Sequence, residues 1–163
     1  MALAIGKADI VLDVSNFVTR LWEEIEKQEG NRAAEYFAED GVFDSKMVCF
    51  RGQQEIRDWF LWRRDKVRTA RHLLSNFHFD FQNWETHREI EMRAVMTHYG
   101  ADGKGVLPIG DPIGIYDHRM RAREGGVHGW TIHLLENDPV FLAPDHVALS
   151  YAHATPDAVG LEA

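Results

Sequence analysis

The sequence predicts a single α+β domain in which N-terminal helices pack on a curved antiparallel sheet that encloses a small-molecule pocket. Apolar residues recur with a helical period in the first part of the chain, up to about residue 68. From about residue 72 the period changes to two, which is typical of strands. Turn signals, among them the segment from Gly100 to Gly103, separate the long strands, so consecutive strands are expected to pair as a meander. Together these features favour an α+β roll.

Three segments have the pattern of helices. The first runs over residues 9–29, with an apolar stripe among charged residues, and Gly30 ends it. A second, short helix over residues 31–39 begins at an Asn cap. A third is predicted over residues 53–68. Asp40-Gly41 between the second and third is typical of a turn.

Six strands are expected after or between these helices. Two of them are short and four are long, and they cover residues 42–44, 47–50, 72–84, 89–99, 113–122 and 129–142. In the first long strand, alternation places His72, Leu74 and Asn76 on one face and the Phe77–Phe81 aromatic ladder on the other. The ladder is interpreted as core or as a subunit interface. In the next strand, the inward row runs from Ile90 to His98.

Composition excludes several classes of function. The chain has 18 Lys and Arg against 26 Asp and Glu, a formal charge of −8, which argues against a nucleic-acid or membrane partner. A lone cysteine, Cys49, excludes an internal disulfide, and no signal or membrane-spanning pattern is present, so a cytoplasmic protein is expected. The domain is predicted over residues 1–145, followed by a tail over 146–163.

No cofactor or metal is expected. The sequence has no Gly-x-Gly-x-x-Gly, no phosphate-binding loop and no Gly-x-Ser-x-Gly elbow. It has nine histidines, but none of them are at the close spacing of a helical zinc motif.

Four segments carry a resemblance to a known superfamily. Residues 36–43, 50–56, 71–76 and 129–132 resemble the nuclear transport factor 2-like superfamily, over about residues 9–142. The resemblance implies a cone-shaped, cystatin-like α+β roll. It leaves the activity open, because the superfamily includes dehydratases, isomerases, polyketide cyclases, dioxygenase β subunits and binding domains.

Within that superfamily the segments look most like the scytalone dehydratase and SnoaL-like polyketide cyclase branch. His72 then takes the place of a histidine at the start of the first long strand, and His98 of a second one near the end of the next. Glu26 is the nearest match to an acidic residue that holds the first histidine, although the family has Asp there and Glu23 or Glu29 fits if the register slips.

The residues themselves support acid–base chemistry but leave simpler explanations open. His72 can take or give a proton near neutral pH, or it is a strand-end histidine bonded to solvent. His98 is its partner in one cavity, or a hydrogen-bonded core histidine. Glu26 orients an imidazole or lies on a solvated helix face. Asp44 could replace it, or serve a turn. Asn76 could donate to a substrate oxygen, or line the pocket edge.

The resulting hypothesis is a cofactor-free lyase, dehydratase or isomerase acting on a small cyclic or aromatic carbonyl compound. His72 is the base, Glu26 its helper, and His98 protonates the leaving hydroxyl or the enolate oxygen. Apolar walls exclude water and are expected from Trp22, Trp59, Phe60 and Met96. A polyketide cyclase and a non-catalytic module resembling a ring-hydroxylating dioxygenase β subunit remain as alternatives. The chain is also expected to form a dimer or trimer through the outer face of the sheet.

Overall fold

The computed structural model describes residues 6–28, 30–64 and 67–146. Within these ranges the chain forms three α-helices, a 3₁₀ helix and six strands. In chain order they are α1 (Lys7–Lys27), the 3₁₀ helix (Ala33–Tyr36), β1 (Phe37–Asp44), β2 (Cys49–Arg51), α2 (Gln53–Arg64), β3 (Arg68–Asp80), α3 (Trp84–His87), β4 (Glu89–Asp102), β5 (Gly114–Glu124) and β6 (Trp130–Leu142). The α+β class is therefore confirmed. The predicted tail lies outside the described residues, apart from His146.

The six strands form one sheet in the order β2-β1-β6-β5-β4-β3. Strands β3 to β6 pair antiparallel with their neighbours in sequence, as the meander prediction requires. Strands β1 and β6 pair in parallel, so the expectation of a wholly antiparallel sheet is wrong. Parallel neighbours need a long crossover between them, and the chain from β2 through β5 provides it.

Helix α1 has one apolar face because its buried side chains recur every three or four residues. It begins two residues earlier than predicted, where the Asp9 carboxylate accepts a hydrogen bond from the backbone N–H of Gly6 at 3.0 Å. The buried face packs over the concave side of the sheet and joins one core with residues from the helices and the inward rows of β4, β5 and β6. The largest fully buried members include Phe17, Leu21, Ile56, Phe60, Met92, Met120, Ile132 and Leu135.

The predicted turn at Asp40-Gly41 is wrong. The short helix ends at Tyr36, and β1 runs through this dipeptide with a register shift against β6 between Phe37 and Val42. A Cβ atom at Gly41 would lie 2.9 Å from the carbonyl oxygen of Ile132. Glycine therefore serves close approach of two backbones here, rather than a change of chain direction.

The boundary between α2 and β3 also differs from the prediction. Helix α2 ends at Arg64, and β3 begins at Arg68, four residues before the predicted start. Strand β4 continues through Gly100 to Asp102, where a turn was expected. These extensions lengthen the β3–β4 hairpin on the side where the two histidines lie.

A bulge in β3 breaks the predicted alternation. The register against β4 shifts between Ser75 and His78, and Asn76 has a left-handed φ of 54°. Beyond it, Phe79 and Phe81 pack against the core, whereas Phe77 remains 40% exposed. Phe77 and Phe79 nevertheless stack, with ring centroids 6.0 Å apart and planes inclined by 10°, so the two rings share one face of β3. Self-association through the outer face stays a prediction.

None of the described helices has the length and apolar character needed to cross a membrane.

Replacing Asp13 with Ala should lower the free energy of unfolding by roughly 1–3 kcal/mol. The Asp13 carboxylate accepts a hydrogen bond from the Trp130 indole N–H at 2.8 Å and so ties α1 to β6. Without it, the indole N–H of a buried side chain loses its partner. Urea denaturation measures the change, with Asn16→Ala, at an exposed position of the same helix, as the control. Equal stability of the two variants would contradict this account of the contact.

Candidate active site

A cavity of about 640 Å³ lies between the helices α1 and α2 and the concave face of the sheet. Its volume suits a ligand of one to three rings. Seven of the nine predicted site residues line it, and they are Trp22, Glu26, Trp59, Phe60, His72, Met96 and His98.

The two predicted histidines lie side by side in this cavity. His72 on β3 is the direct register partner of His98 on β4. Their rings stack with centroids 4.2 Å apart and planes inclined by 19°. Strand alternation alone turns both side chains inward, because neither lies beyond the bulge of β3. The expectation that two imidazoles converge in one hollow is therefore met by the structure.

Glu26, in the last turn of α1, holds the first of these rings. Its Oε1 accepts hydrogen bonds from the backbone N–H of His72 and from the imidazole Nδ1, the latter at 3.1 Å. The side chains of Glu26 and His72 are only 9% and 2% exposed. Glu23 instead pairs with Lys27 at the surface, and Glu29 lies outside the described residues. With Nδ1 engaged, Nε2 is the His72 nitrogen left for a ligand.

Trp22 completes a stack of three rings. Its indole lies against the other face of His72, with centroids 4.3 Å apart and planes inclined by 27°. The His72 ring is thus fixed in its plane by Trp22 and His98 and in rotation by Glu26. An imidazole held in this way needs little reorganisation before a proton transfer.

Burial sets the protonation states of the site. It is the main cause that lowers the pKa of His72 well below 6.5, helped by the positive charge of Arg63. Burial also lowers the pKa of His98 to about 2, with neighbouring His72 as the next cause. The pKa of Glu26 is raised by burial, against the opposing effect of the hydrogen bond from the His72 backbone. Both imidazoles are therefore neutral at pH 7.

Two glycines make room beside His98. Gly114 is the register partner of His98 on β5, and a Cβ atom there would lie 2.6 Å from the Tyr116 hydroxyl oxygen. Gly100 follows His98 by two residues, and a Cβ atom there would lie 2.8 Å from Nη2 of Arg68. The absent side chains let the Tyr116 ring and the Arg68 guanidinium fold over the sheet toward the imidazole. Sequence reasoning interpreted Gly100 as a turn residue and missed this function.

A buried polar pair forms a second part of the site that the sequence analysis did not identify. Nδ1 of His118 lies 2.6 Å from Oδ1 of Asn137, its register partner on β6. Burial lowers the pKa of His118 to about 4, so the ring is neutral and can donate from Nδ1. The Asn137 side chain lines the cavity, and its amide NH₂ is then the group available to a ligand oxygen. The alternation of β5 would have placed His118 on the inward row with Tyr116 and Met120.

Two predicted site residues lie outside the cavity. Asn76 is exposed at the bulge of β3, where the chain no longer presents the face of His72. Asp44 points away because its neighbours Phe43 and Ser45 line the cavity, and side chains alternate along β1. Its Oδ1 accepts the backbone N–H of Lys46 at 2.7 Å instead. In residues 6–28, 30–64 and 67–146, no three His, Cys, Asp or Glu side chains are grouped as metal ligands.

Residues 7–136 match the family model described as the SnoaL-like domain. The chain belongs to the SnoaL-like domain family. This confirms the predicted resemblance, and it places the protein in the nuclear transport factor 2-like superfamily. A comparison with curated protein sequences found no match.

Several solved structures share the fold of this SnoaL-like protein at low sequence identity. A candidate scytalone dehydratase from Novosphingobium aromaticivorans is 14% identical, with a TM-score of 0.68, and the match covers 86% of this chain and 91% of that one. ActVI-ORFA from Streptomyces coelicolor is 13% identical, with a TM-score of 0.66 and coverage of 80% and 98%. A Nostoc punctiforme protein with a cystatin-like fold is 17% identical, with a TM-score of 0.64 and coverage of 90% and 99%. At these identities the likeness shows the fold alone.

Replacing Gly114 with Ala should destabilise this SnoaL-like protein by roughly 1–3 kcal/mol, because the new methyl group overlaps the buried Tyr116 ring. Gly110→Ala is the matched control, since a Cβ atom at Gly110 meets nothing within 4 Å. Chemical denaturation of both variants measures the difference. A Gly114→Ala protein as stable as the control would show that the Tyr116 ring is not packed over this glycine.

Stability should fall as the pH is lowered from about 7 to 5.5. Burial lowers the pKa of His72, His98 and His118, so below their ordinary value of 6.5 the unfolded chain binds protons that the native chain does not. Because of this difference in proton binding, the free energy of unfolding falls by up to roughly 1.4 kcal/mol per pH unit for each histidine. Urea denaturation across this range measures the slope.

His118→Gln is the comparison for that slope. The raised pKa of Glu26 acts in the opposite direction, because its stabilising effect is lost as the pH rises through it, but it is common to both proteins. The variant should therefore show a smaller loss of stability on acidification than the wild type. An unchanged slope would mean that His118 is protonated equally in the folded and unfolded chains.

Proposed function

We propose that this SnoaL-like protein is a cofactor-free lyase that removes water from a small cyclic β-hydroxy ketone. The observation that carries the proposal is a neutral imidazole, His72, held by the Glu26 carboxylate beside a second imidazole in a cavity with an aromatic wall. A base next to a positioned orienting carboxylate is the usual arrangement for abstracting a proton from carbon.

The elimination begins at His72. Its Nε2 takes the proton from the carbon next to the ketone, and the imidazolium that forms is stabilised by Glu26. The electron pair passes to the ketone oxygen as an enolate. When the enolate collapses, the carbon–oxygen bond of the β-hydroxyl breaks, and the proton held on His72 leaves with the hydroxide as water. No other reactant is consumed.

His98 fits the part of a neutral hydrogen-bond donor to the enolate oxygen. Its pKa, lowered to about 2 by burial, leaves no imidazolium at neutral pH to act as a charged acid. Its Nε2 is buried, and none of the described residues hydrogen-bonds to it. Trp22 and Trp59 also line the cavity, and their indole nitrogens are likewise buried without a hydrogen bond to any described residue. A ligand with several oxygen atoms would satisfy these groups.

The same groups also suit an isomerase, in which the proton returns to a different carbon, and a cyclase. Dehydration is preferred as the working proposal because a single base can serve both the carbon proton and the leaving hydroxide. A non-catalytic binding module would need the cavity but not the Glu26–His72 contact.

Loss of His72 should lower the turnover number at least 100-fold while the fold is kept. A suitable first substrate is 3-hydroxy-1-tetralone, because loss of water yields 1-naphthol, whose fluorescence reports the rate. Other cyclic hydroxy ketones extend the panel. His72→Ala and Glu26→Gln are compared with His78→Ala, which removes an exposed histidine from the same strand outside the cavity.

The expected order is His78→Ala equal to the wild type, Glu26→Gln reduced roughly 10- to 100-fold and His72→Ala most reduced. Full activity in His72→Ala would remove the mechanism. Tight binding of the ketones with no turnover in the wild type would favour the binding module.

A further inference from the structure

The cavity wall has the opposite charge to the chain as a whole. The chain carries a formal charge of −8. Among the described residues that line the cavity, however, six are Lys or Arg, and Glu26 is the one carboxylate. The six cationic residues are Lys27, Arg63, Arg64, Arg68, Arg71 and Lys104. A cavity with this lining attracts anions despite the acidic surface around it.

Two of these cations have no carboxylate within ion-pair distance among the described residues. Lys27 pairs with Glu23, and Arg71 lies 3.6 Å from Glu26. Arg63 and Arg68 form no ion pair within residues 6–28, 30–64 and 67–146. They come from different elements, the last turn of α2 and the start of β3, and meet in one cavity.

Both guanidinium groups lie close enough to the imidazoles to influence them. The positive charges of Arg63 and Arg68 contribute to the lowered pKa of His72 and of His98. The pKa of Arg63 is itself lowered, first by burial and then by Arg68. Two like charges in a partly buried site repel each other, and an anion between them relieves that repulsion.

A glycine in the sheet makes room for the guanidinium group of Arg68. Gly100 on β4 lies on the same face as His98, and a Cβ atom there would fall 2.8 Å from Nη2 and 3.1 Å from Nε of Arg68. The guanidinium therefore occupies the space that a side chain at this position would fill. The placement of Arg68 beside the imidazole pair is built into the strand.

We propose that the natural substrate is an organic acid, whose carboxylate binds between Arg63 and Arg68 while its ring lies against the aromatic wall. Guanidinium groups pair with carboxylates in a planar, two-bonded geometry that a neutral amide does not reproduce. The aromatic lining of Trp22, Trp59 and Phe60 suits the ring of such an acid. This inference rests on the proposed function for the chemistry but not for the binding.

A matched pair of ligands tests the carboxylate directly. The probes are 6-hydroxy-2-naphthoate and its neutral analogue 6-hydroxy-2-naphthamide, with binding measured by titration calorimetry. The wild type should bind the carboxylate at least tenfold more tightly. Arg63→Gln and Arg68→Gln should each lose at least tenfold for the carboxylate and stay within twofold for the amide.

Two further variants guard against indirect effects. Arg57→Gln removes an exposed arginine from α2 outside the cavity and should leave both affinities unchanged. Gly100→Ala keeps the charge of Arg68 but displaces it, and should weaken the carboxylate selectively. Unfolding curves confirm that each variant is folded. Equal affinity of the two ligands, no measurable carboxylate binding, or unchanged affinities in both arginine variants would overturn the proposal.

The same titrations in His72→Ala separate this inference from the proposed function. A carboxylate preference that persists there, together with a wild type that is inactive on cyclic hydroxy ketones both with and without a carboxylate group, would support the anion site and contradict the lyase. Turnover of neutral ketones by the wild type, without a preference for the carboxylate ligand, would support the lyase and contradict the anion site.

Discussion

The contact between Glu26 and His72 is the constraint on which the site depends. A carboxylate at the end of α1 accepts two hydrogen bonds from one residue of β3, through its backbone N–H and its ring. Burial of that carboxylate is unfavourable, as its raised pKa shows, and the two donors with nearby Arg71 offset the cost. The end of α1 is therefore fixed against the sheet, and the His72 ring has one orientation.

The neutrality of the imidazoles follows from the same enclosure. Burial and neighbouring cations both disfavour the imidazolium form of His72. The ring is therefore unprotonated and available as a base, but its lowered pKa makes it a weaker one. Removal of a proton from carbon creates negative charge on the substrate. The cationic side chains that line the cavity stabilise this charge and so offset the weaker basicity of His72. An anionic substrate bound between Arg63 and Arg68 would also remove part of the repulsion that lowers the pKa of His72. Binding and basicity would then be coupled.

The family resemblance and strand alternation together predict the histidine pair, because alternation holds along β3 and β4 as far as these residues. It failed beyond Ser75, since a bulge changes which face each residue occupies without leaving a Gly or Pro signal. Two glycines also give predictions that the structure does not confirm. The pattern predicts turns at Gly41 and Gly100, whereas both glycines provide space for a neighbour that is distant in sequence. The pairing of His118 with Asn137 depends on strand register, which a pattern within one segment does not contain.

The distribution of unmatched groups argues for a ligand rather than for assembly alone. On the outer face, Arg119 bonds to both Glu91 and Glu136, and Lys46 also reaches Glu136. There the chain pairs its charges across neighbouring strands. In the cavity, among the described residues, Arg63 and Arg68 form no ion pair with a carboxylate, and three ring nitrogens have no hydrogen-bond partner. Each such group is unfavourable for folding by itself. Their concentration around one aligned imidazole pair is explained if a charged, oxygen-bearing molecule completes the site.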